Sequence, residues 1–234
     1  MKIALAQVTS GIDPEANARI LVDAVASAAA DGAVMLFTPE MSGLLDRDRA
    51  RAAAVLRSEG EDVVLAAVRA AAAAHRMWIH IGSLAVLSGG GKLANRAFVI
   101  DDTGAIRARY DKLHLFDVDL PTGESWRESA AYAPGEGAVV VQTPIGAIGL
   151  SICYDLRFAD LYRALSNAGA TVLAIPAAFA ASWGFMLPAG TGPNAIAWAT
   201  GHIALPRMLR AGLLLDLAGV VLIVGVVWTV AALV

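Results

Sequence analysis

The sequence contains a single cysteine among its 234 residues, so it cannot form an internal disulfide. A lone free thiol suits a reducing compartment, and we expect the cytoplasm for the polar part of the chain.

Charge is also scarce, because only 17% of the residues are Asp, Glu, Lys or Arg and the formal net charge is -3. Basic residues form no run and do not alternate with aromatic residues, which argues against a nucleic-acid partner. The first residues lack the long apolar core of a signal peptide, so we interpret residues 3–8 as a strand.

The few charges are distributed unevenly. Residues 1–179 alternate apolar segments with charged, alanine-rich ones, whereas the segment 180–234 carries formal charge only at Arg207, Arg210 and Asp216. Residues 211–234 are a run of 24 with one charge, and a bilayer span needs about 20 apolar residues. We therefore predict a hydrophobic helical tail with a membrane helix at 211–234, which would anchor the chain. A helix buried in a soluble core is the alternative.

The pattern before residue 180 predicts an α/β fold. Asp13 and Pro14 are typical of a helix start, with Asp13 as the N-cap of a helix that runs to about Ala30. Further helices are predicted at 46–57, 61–75 and 155–167. Apolar runs of strand length separate the helices, and the predicted strands are 3–8, 33–38, 77–84, 95–100, 105–110, 139–143, 147–152 and 171–175.

Three chemically useful side chains follow predicted strands. Cys153 lies where an apolar strand changes into a polar helix, and a helix N-terminus can lower the pKa of a thiol. Glu40 follows an apolar strand and is a candidate general base, and Lys112 could hold a developing oxyanion. Each residue alone has a simpler interpretation: a buried structural cysteine, a surface glutamate or a solvated lysine. Ligands of open α/β sheets bind beyond the carboxyl ends of strands, so the three together favour an active site.

Two further residues near Lys112 are candidates. Glu128 could hold Lys112 and the substrate. His114 could be mistaken for the base of a Cys-His pair, but we expect a structural role for it because the sequence shows no partner that would orient its ring.

Three sequence blocks resemble the signature blocks of the carbon-nitrogen hydrolase, or nitrilase, family. They are residues 38–41 (TPEM), 110–117 (YDKLHLFD) and 149–158 (GLSICYDLRF), in the family's order and at similar spacing. The blocks are most similar to the branch with omega-amidase and deaminated-glutathione amidase. The resemblance implies an α-β-β-α sandwich, here truncated at its C-terminal end.

The resemblance also implies a catalytic machinery. It makes Glu40 the general base, Lys112 the oxyanion stabiliser and Cys153 the nucleophile. Glu128 matches the family's second glutamate, and the backbone N–H of Tyr154 would complete the oxyanion site. No metal or organic cofactor is implied. The expected reaction is hydrolysis of a small carboxamide through a cysteine thioester, with an ω-amide of a dicarboxylic acid as the suggested substrate.

The family pattern stops near residue 179, although the family continues for roughly another 80 to 100 residues. Residues 181–234 resemble instead the C-terminal end of divalent-anion:sodium symporters, in which Thr191 and Asn194 would be site residues. The sequence thus predicts a hydrolase domain at 1–179 and a hydrophobic tail at 180–234, with a join near 178–182. An inactive hybrid and a membrane protein related to sodium-coupled symport stay open as alternatives. A homo-oligomer is also expected from the family.

Overall fold

The structure is a computed structural model that describes residues 1–46, 48–119 and 125–173. The predicted membrane helix at 211–234, the symporter-like segment and its candidate site residues Thr191 and Asn194 lie outside these residues. Among the described residues, no helix is both long and apolar enough to span a bilayer.

Four α-helices and ten strands account for most of the described chain. The helices are α1 (Pro14–Ala30), α2 (Arg49–Val55), α3 (Val63–His75) and α4 (Ala159–Asn167). The strands are β1 (Ile3–Leu5), β2 (Met35–Phe37), β3 (Trp78–Leu87), β4 (Leu93–Ile100), β5 (Ile106–Asp111), β6 (Asp117–Asp119), β7 (Ser125–Arg127), β8 (Val140–Thr143), β9 (Gly146–Gly149) and β10 (Val172–Leu173).

Within the described chain, most strands form two sheets. The first has the order β1-β2-β3-β4-β5, with β1, β2 and β3 parallel and the β3-β4 and β4-β5 pairs antiparallel. The second has the order β10-β9-β8, with β9 parallel to β10 and antiparallel to β8. Strands β6 and β7 pair with each other, and Ser125 Oγ donates to Asp119 at 2.8 Å. The hairpin residues between Asp117 and Arg127 belong to a different compact unit from Met1–Asp117.

The two sheets and their helices form four layers. Helices α1 and α3 cover one face of the first sheet through an apolar cluster that includes Leu21, Val68 and Ile79. The other face packs on the second sheet through residues such as Phe37 and Ile148. Successive strand residues point to opposite faces, so buried β2 and β4 can supply apolar side chains to both clusters.

Helix α4 forms the fourth layer. Its residues Leu161 and Leu165 are buried, and a Cβ added to Gly149 of β9 would lie only 3.2 Å from Leu165 Cβ. Gly149 therefore allows the helix to approach the outer face of the second sheet. The predicted α-β-β-α arrangement is confirmed for the part of the chain that the structure describes.

Most differences from the predicted elements lie at their ends. Helix α1 runs from Pro14 to Ala30 as predicted, and Asp13 accepts a hydrogen bond from Glu15 N at 3.0 Å. Helix α2 begins later than predicted because Asp48 is its cap. The predicted helix 155–167 is wrong as one element. It is a 3₁₀ turn at Cys153–Arg157, an extended Phe158 and then α4.

The inter-sheet layer contains an unusual histidine. His80 of β3 is buried with 1% of its surface exposed, and neither ring nitrogen has a hydrogen-bond partner in the described chain. Its ring lies beside Phe37, with the ring centroids 5.4 Å apart. Burial lowers the pKa of His80 to about 4, because the apolar surroundings disfavour the imidazolium.

This histidine predicts a specific loss of stability in acid. The unfolded chain takes up a proton at His80 below about pH 6.5, whereas the folded protein does so only near pH 4. Between pH 7 and pH 4, the free energy of unfolding of the native protein should therefore fall. The fall should be roughly 3 kcal/mol larger than that of the His80→Leu variant. Urea unfolding followed by circular dichroism across this range measures the difference. If the free energy of unfolding changes with pH equally in the native and His80→Leu proteins, the lowered pKa of His80 is contradicted.

Candidate active site

The turn that carries Glu40 is fixed to strand β3. Thr38 N donates to His80 O at 3.0 Å, and Thr38 Oγ1 accepts from Gly82 N at 3.1 Å. A Cβ at Gly82 would lie 2.3 Å from Thr38 O, which is closer than atoms can pack. Glycine at position 82 is therefore what allows β3 to touch the chain just before Glu40.

The residues after Glu40 form a sharp turn, which hydrogen bonds fix to Ser83 of β3 and to Pro39. Met41 has φ 54°, a left-handed value that is uncommon for a residue with a side chain. Met41 N donates to Ser83 Oγ and Ser42 N donates to Ser83 O, both at 3.0 Å. Ser42 Oγ donates back to Pro39 O. These bonds offset the cost of the left-handed residue, roughly 1–3 kcal/mol, and fix the direction of Glu40.

Lys112 directly follows β5 and is almost completely buried, with 2% of its surface exposed. Its N–H donates to Asn95 O at 2.9 Å, and its carbonyl accepts from Gly135 N at 2.9 Å. A Cβ at Gly135 would lie 2.1 Å from Asp111 O. The close approach again requires glycine, and it aligns the backbone from which the Lys112 side chain extends.

The Lys112 ammonium lies between two carboxylates. Its Nζ is 3.2 Å from Glu40 Oε1 and 3.0 Å from Glu128 Oε2. Glu128 is fixed in turn, because its Oε2 accepts from Phe116 N at 2.6 Å. Burial disfavours the ammonium, but the negative charges of Glu40 and Glu128, joined at high pH by that of the Cys153 thiolate, outweigh burial. The pKa of Lys112 therefore lies above its ordinary value. Lys112 is thus a permanent cation, suited to stabilise negative charge and not to accept a proton.

A fourth polar residue in the cluster, Asn95, was missed by the sequence analysis. It lies on β4, is buried, and its Nδ2 donates to Glu40 Oε1 at 2.9 Å and to Glu128 Oε1 at 3.2 Å. An asparagine near the start of an apolar strand is the only signal that could have revealed it. That signal does not name its partners, which are 55 and 33 residues away in the sequence.

Cys153 completes the cluster. It begins the 3₁₀ turn after the second sheet, with φ 47°, and the residue is accessible at the surface. The protein around its sulfur and the adjacent Glu40 carboxylate raise the pKa of the Cys153 thiol to about 12, and Lys112 opposes this only in part. The expectation of a lowered thiol pKa is wrong. The five-residue turn carries little dipole, and burial together with the Glu40 charge exceeds its effect.

The turn that bears Cys153 is held by the carboxylate of Asp155. Asp155 is fully buried and accepts hydrogen bonds from Tyr110 OH at 2.6 Å and from Ile152 N at 2.9 Å. His114 N donates to Asp155 at 2.9 Å as well, so one carboxylate joins the segment after β5 to the cysteine turn. Tyr154, whose backbone N–H is the predicted oxyanion donor, follows Cys153 in this turn and packs edge-on against Phe116 with ring centroids 5.1 Å apart.

The structural role expected for His114 fits its contacts, although the reason given for that role was wrong. His114 Nδ1 lies 2.7 Å from Asp155 Oδ1, so the ring does have a carboxylate partner. The ring also stacks on Phe158 with centroids 3.6 Å apart. These contacts tie His114 to the support of the cysteine turn.

A cavity of about 380 Å³ lies next to the cluster. It is lined mainly by apolar side chains, among them Leu44, Ala52, Leu56, Ala85 and Leu93, and its polar lining includes Glu128, Tyr132 and Arg49. Burial comes first among the causes that raise the pKa of Tyr132 to about 12, followed by the charges of Glu128 and Glu40, with Lys112 and Arg49 opposing. Tyr132 thus lines the cavity within range of the charges of the cluster.

Among residues 1–46, 48–119 and 125–173, no group of three or more His, Cys, Asp or Glu side chains is arranged to hold a metal ion.

Known proteins share this arrangement of sequence and fold. The profile of the family described as "Carbon-nitrogen hydrolase" matches residues 2–205. The deaminated glutathione amidase of Yersinia enterocolitica is 41% identical over 115 residues, which cover 48% of this chain and 40% of that protein. The deaminated glutathione amidase of Homo sapiens is 33% identical over 182 residues, which cover 76% of this chain and 55% of that protein.

A solved structure agrees with these sequence matches. A variant of the amidase from Nesterenkonia sp. AN1, with the acetamide moiety of fluoroacetamide covalently added at its active site cysteine, has a TM-score of 0.63 and 28% identity. The match covers 73% of this chain and 62% of that one. This chain therefore spans less than two-thirds of each of these relatives. The family match extends beyond the predicted join at 178–182, and the symporter resemblance of the tail stays a prediction.

The raised thiol pKa predicts how Cys153 reacts with iodoacetamide. Because the thiolate is the reactive form and this is the only cysteine, the alkylation rate of the folded protein should still be rising above pH 10. The Glu40→Gln variant should shift the curve to lower pH, since the neighbouring negative charge is removed. Mass spectrometry of quenched samples measures the rate. The same chain in urea is the control and should titrate near 8.5, as free cysteine does. If the alkylation rate of the folded protein has its pH midpoint at or below the value in urea, the thiol pKa is not raised by burial and Glu40.

Proposed function

This chain belongs to the carbon-nitrogen hydrolase family, and on that premise we propose that it hydrolyses a small carboxamide to a carboxylate and ammonia. The proposal is carried by one observation: a buried lysine ammonium within 3.2 Å of two carboxylates, beside an accessible cysteine. In this proposal Cys153 is the nucleophile, Glu40 the general base and Lys112 the stabiliser of the oxyanion. Glu128 holds Lys112 in place.

The first half of the reaction forms a thioester. Since the raised pKa keeps the thiol protonated at neutral pH, Glu40 removes its proton as the sulfur attacks the amide carbonyl carbon. The carbonyl oxygen becomes an oxyanion, which the Lys112 ammonium and the Tyr154 N–H stabilise. Glu40 then returns the proton to the amide nitrogen, the carbon–nitrogen bond breaks, and ammonia leaves an acyl group on Cys153.

The second half releases the acid. Glu40 takes a proton from a water molecule as the water oxygen attacks the thioester carbonyl, and the same two donors stabilise the second oxyanion. The carbon–sulfur bond then breaks, and the proton on Glu40 returns to the sulfur. The free thiol and the ionised Glu40 are restored, so one water is consumed for each ammonia released and no cofactor takes part.

We further propose that the substrate is an amide whose acyl chain ends in a carboxylate, such as the ω-amide of a dicarboxylic acid. The apolar cavity beside Glu128 offers room for the acyl chain. Of the charged residues lining it, Asp46 is paired with Arg51 at 2.6 Å and Glu128 with Lys112. Arg49 forms no ion pair within the described chain and donates only to Arg127 O, at 3.2 Å. Its guanidinium is thus available for an anionic group.

The remaining proposals concern the setting of the enzyme. We propose that the hydrolase part works in the cytoplasm and forms a homo-oligomer, as expected from the lone thiol and from the family resemblance. Attachment to a membrane through residues 211–234 is a separate proposal that rests on the sequence of that segment. Fractionation of the full chain into soluble and membrane pools tests it directly.

The nucleophile is tested by replacing the one thiol. Cys153→Ala should lower ammonia release from α-ketoglutaramate or deaminated glutathione by about three orders of magnitude or more, because no other thiol is present. Ammonia is measured with a coupled glutamate dehydrogenase assay. The control is Ser151→Ala, which removes a nearby hydroxyl that binds Tyr162 and should keep most of the activity. Turnover that survives in Cys153→Ala would remove Cys153 from the mechanism.

The role of Arg49 is tested by substrate selectivity. Arg49→Gln should raise the KM for an amide with a terminal carboxylate roughly tenfold, about 1.4 kcal/mol, because a charged hydrogen bond is lost. The KM for the uncharged amide of equal chain length should stay the same. Arg51→Gln is the matched control, since Arg51 is already paired with Asp46. Equal effects on the charged and uncharged amides would exclude Arg49 as the selecting residue.

A further inference from the structure

We infer that Asn95 is a positioning residue that sets both the geometry and the charge balance of the Glu40–Glu128 pair. The inference rests on the proposed function for its catalytic consequence, but not for the geometry from which it is drawn. It assigns to a neutral side chain, outside the expected trio, the task of holding two acidic groups together beside a single cation.

The two carboxylates are bridged twice. Asn95 Nδ2 donates to Glu40 Oε1 at 2.9 Å and to Glu128 Oε1 at 3.2 Å. Lys112 Nζ lies 3.2 Å from each of the same two oxygens. One oxygen of each glutamate is therefore shared by the same pair of nitrogen donors, one charged and one neutral.

The charge balance explains why a neutral donor is needed. Two ionised carboxylates and one ammonium leave an excess of one negative charge in a partly buried site. A second cation would neutralise the carboxylate that has to accept a proton from Cys153, whereas a carboxylic acid would itself titrate. The amide of asparagine has two N–H groups in one plane and no ionisation, so it can join both oxygens without changing charge at any pH.

The unpaired end of the same amide supports the assignment. Asn95 Oδ1 is buried and has no hydrogen-bond partner among the described residues. An unsatisfied buried acceptor lowers the stability of the fold, so stability does not account for the amide oxygen of Asn95. The opposite amide orientation would place Oδ1 against two carboxylate oxygens, which repel it, and this fixes Nδ2 as the group facing Glu40 and Glu128.

The backbone of Asn95 is coupled to the same site. Asn95 O accepts from Lys112 N at 2.9 Å, and Asn95 pairs with Ala85 across the β3-β4 ladder. One residue thus fixes the main chain of the lysine and the side chains of both glutamates. All three charged groups are thus in contact with one residue of β4, in addition to the separate bonds that support each of them.

Two variants test the inference through the pH dependence of turnover. Asn95→Asp can donate one hydrogen bond when protonated, but at higher pH it adds a third carboxylate to the cluster. Its activity should therefore be concentrated at acid pH, with an optimum lowered by at least about one pH unit, because the three carboxylates share one cation. Asn95→Ala should lower kcat by about 10- to 100-fold, with KM within about twofold and no acid shift, because Glu40 loses its orientation.

A matched control separates positioning from stability. Asn17 is also a buried asparagine, and its Nδ2 donates to Gly11 O at 3.0 Å and to Gly43 O at 2.8 Å. Since these partners are backbone carbonyls, Asn17→Asp should lower the urea midpoint without moving the pH optimum. If Asn95→Asp keeps the native optimum, or if Asn95→Ala keeps the native kcat, Asn95 is only a structural residue and the inference is wrong.

A second readout does not require turnover. Because Cys153 is the only thiol, its iodoacetamide alkylation reports the charge beside it. Asn95→Asp should move the alkylation curve to higher pH than in the native protein, and Asn17→Asp should leave it unchanged. If the native protein releases no ammonia, the proposed function fails, while a shifted alkylation curve still supports the charge role of Asn95. An unshifted curve in folded Asn95→Asp protein contradicts that role.

Discussion

The site depends on a buried ammonium held between two carboxylates. Removing a charged amine from water is expensive, and an unpaired Lys112 in this position would lose its proton or destabilise the fold. Glu40 and Glu128 reverse the outcome, so that the pKa of Lys112 lies above its ordinary value in spite of burial. The cation in turn offsets the repulsion between the two carboxylates. The burial of each of the three groups therefore depends on the presence of the other two. Asn95 adds a neutral bridge to the same oxygens.

The scaffold meets this requirement by bringing separate turns close together. Gly82 lets β3 touch the chain before Glu40, and Gly135 lets a later segment touch the end of β5 before Lys112. Asp155 performs the same task with a carboxylate, since it links the backbone of His114 to that of Ile152. Close packing and buried hydrogen bonds at these three points align the strand ends to within the few tenths of an ångström that hydrogen bonding requires.

The electrostatics favour one type of catalysis. Burial of its sulfur and the ionised Glu40 beside it keep the Cys153 thiol protonated, and its pKa is raised to about 12. Such a cysteine gains its nucleophilicity only when the proton moves to the carboxylate during attack, which is base-assisted catalysis and not attack by a preformed thiolate. In the proposed mechanism, the same pairing gives Glu40 the proton that it passes to the leaving nitrogen. The contact between Glu40 and Cys153 thus adds to the raised thiol pKa and, in the proposed mechanism, supplies the base.

The sequence by itself determined the alternation of strands and helices, the start of α1 at Pro14, and the residue types at the ends of β2 and β5, because these follow from local periodicity, capping and family-like blocks. Only the tertiary structure decided the recruitment of Asn95, the Asp155–His114 contact and the direction of the Cys153 pKa shift. Asn95 and Glu40 are 55 residues apart, and Lys112 and Glu40 are 72 apart. Hydrogen bonds and charge interactions depend on distance in space, which no local pattern in the chain encodes, so these features appear only when the two sheets and their turns are in place.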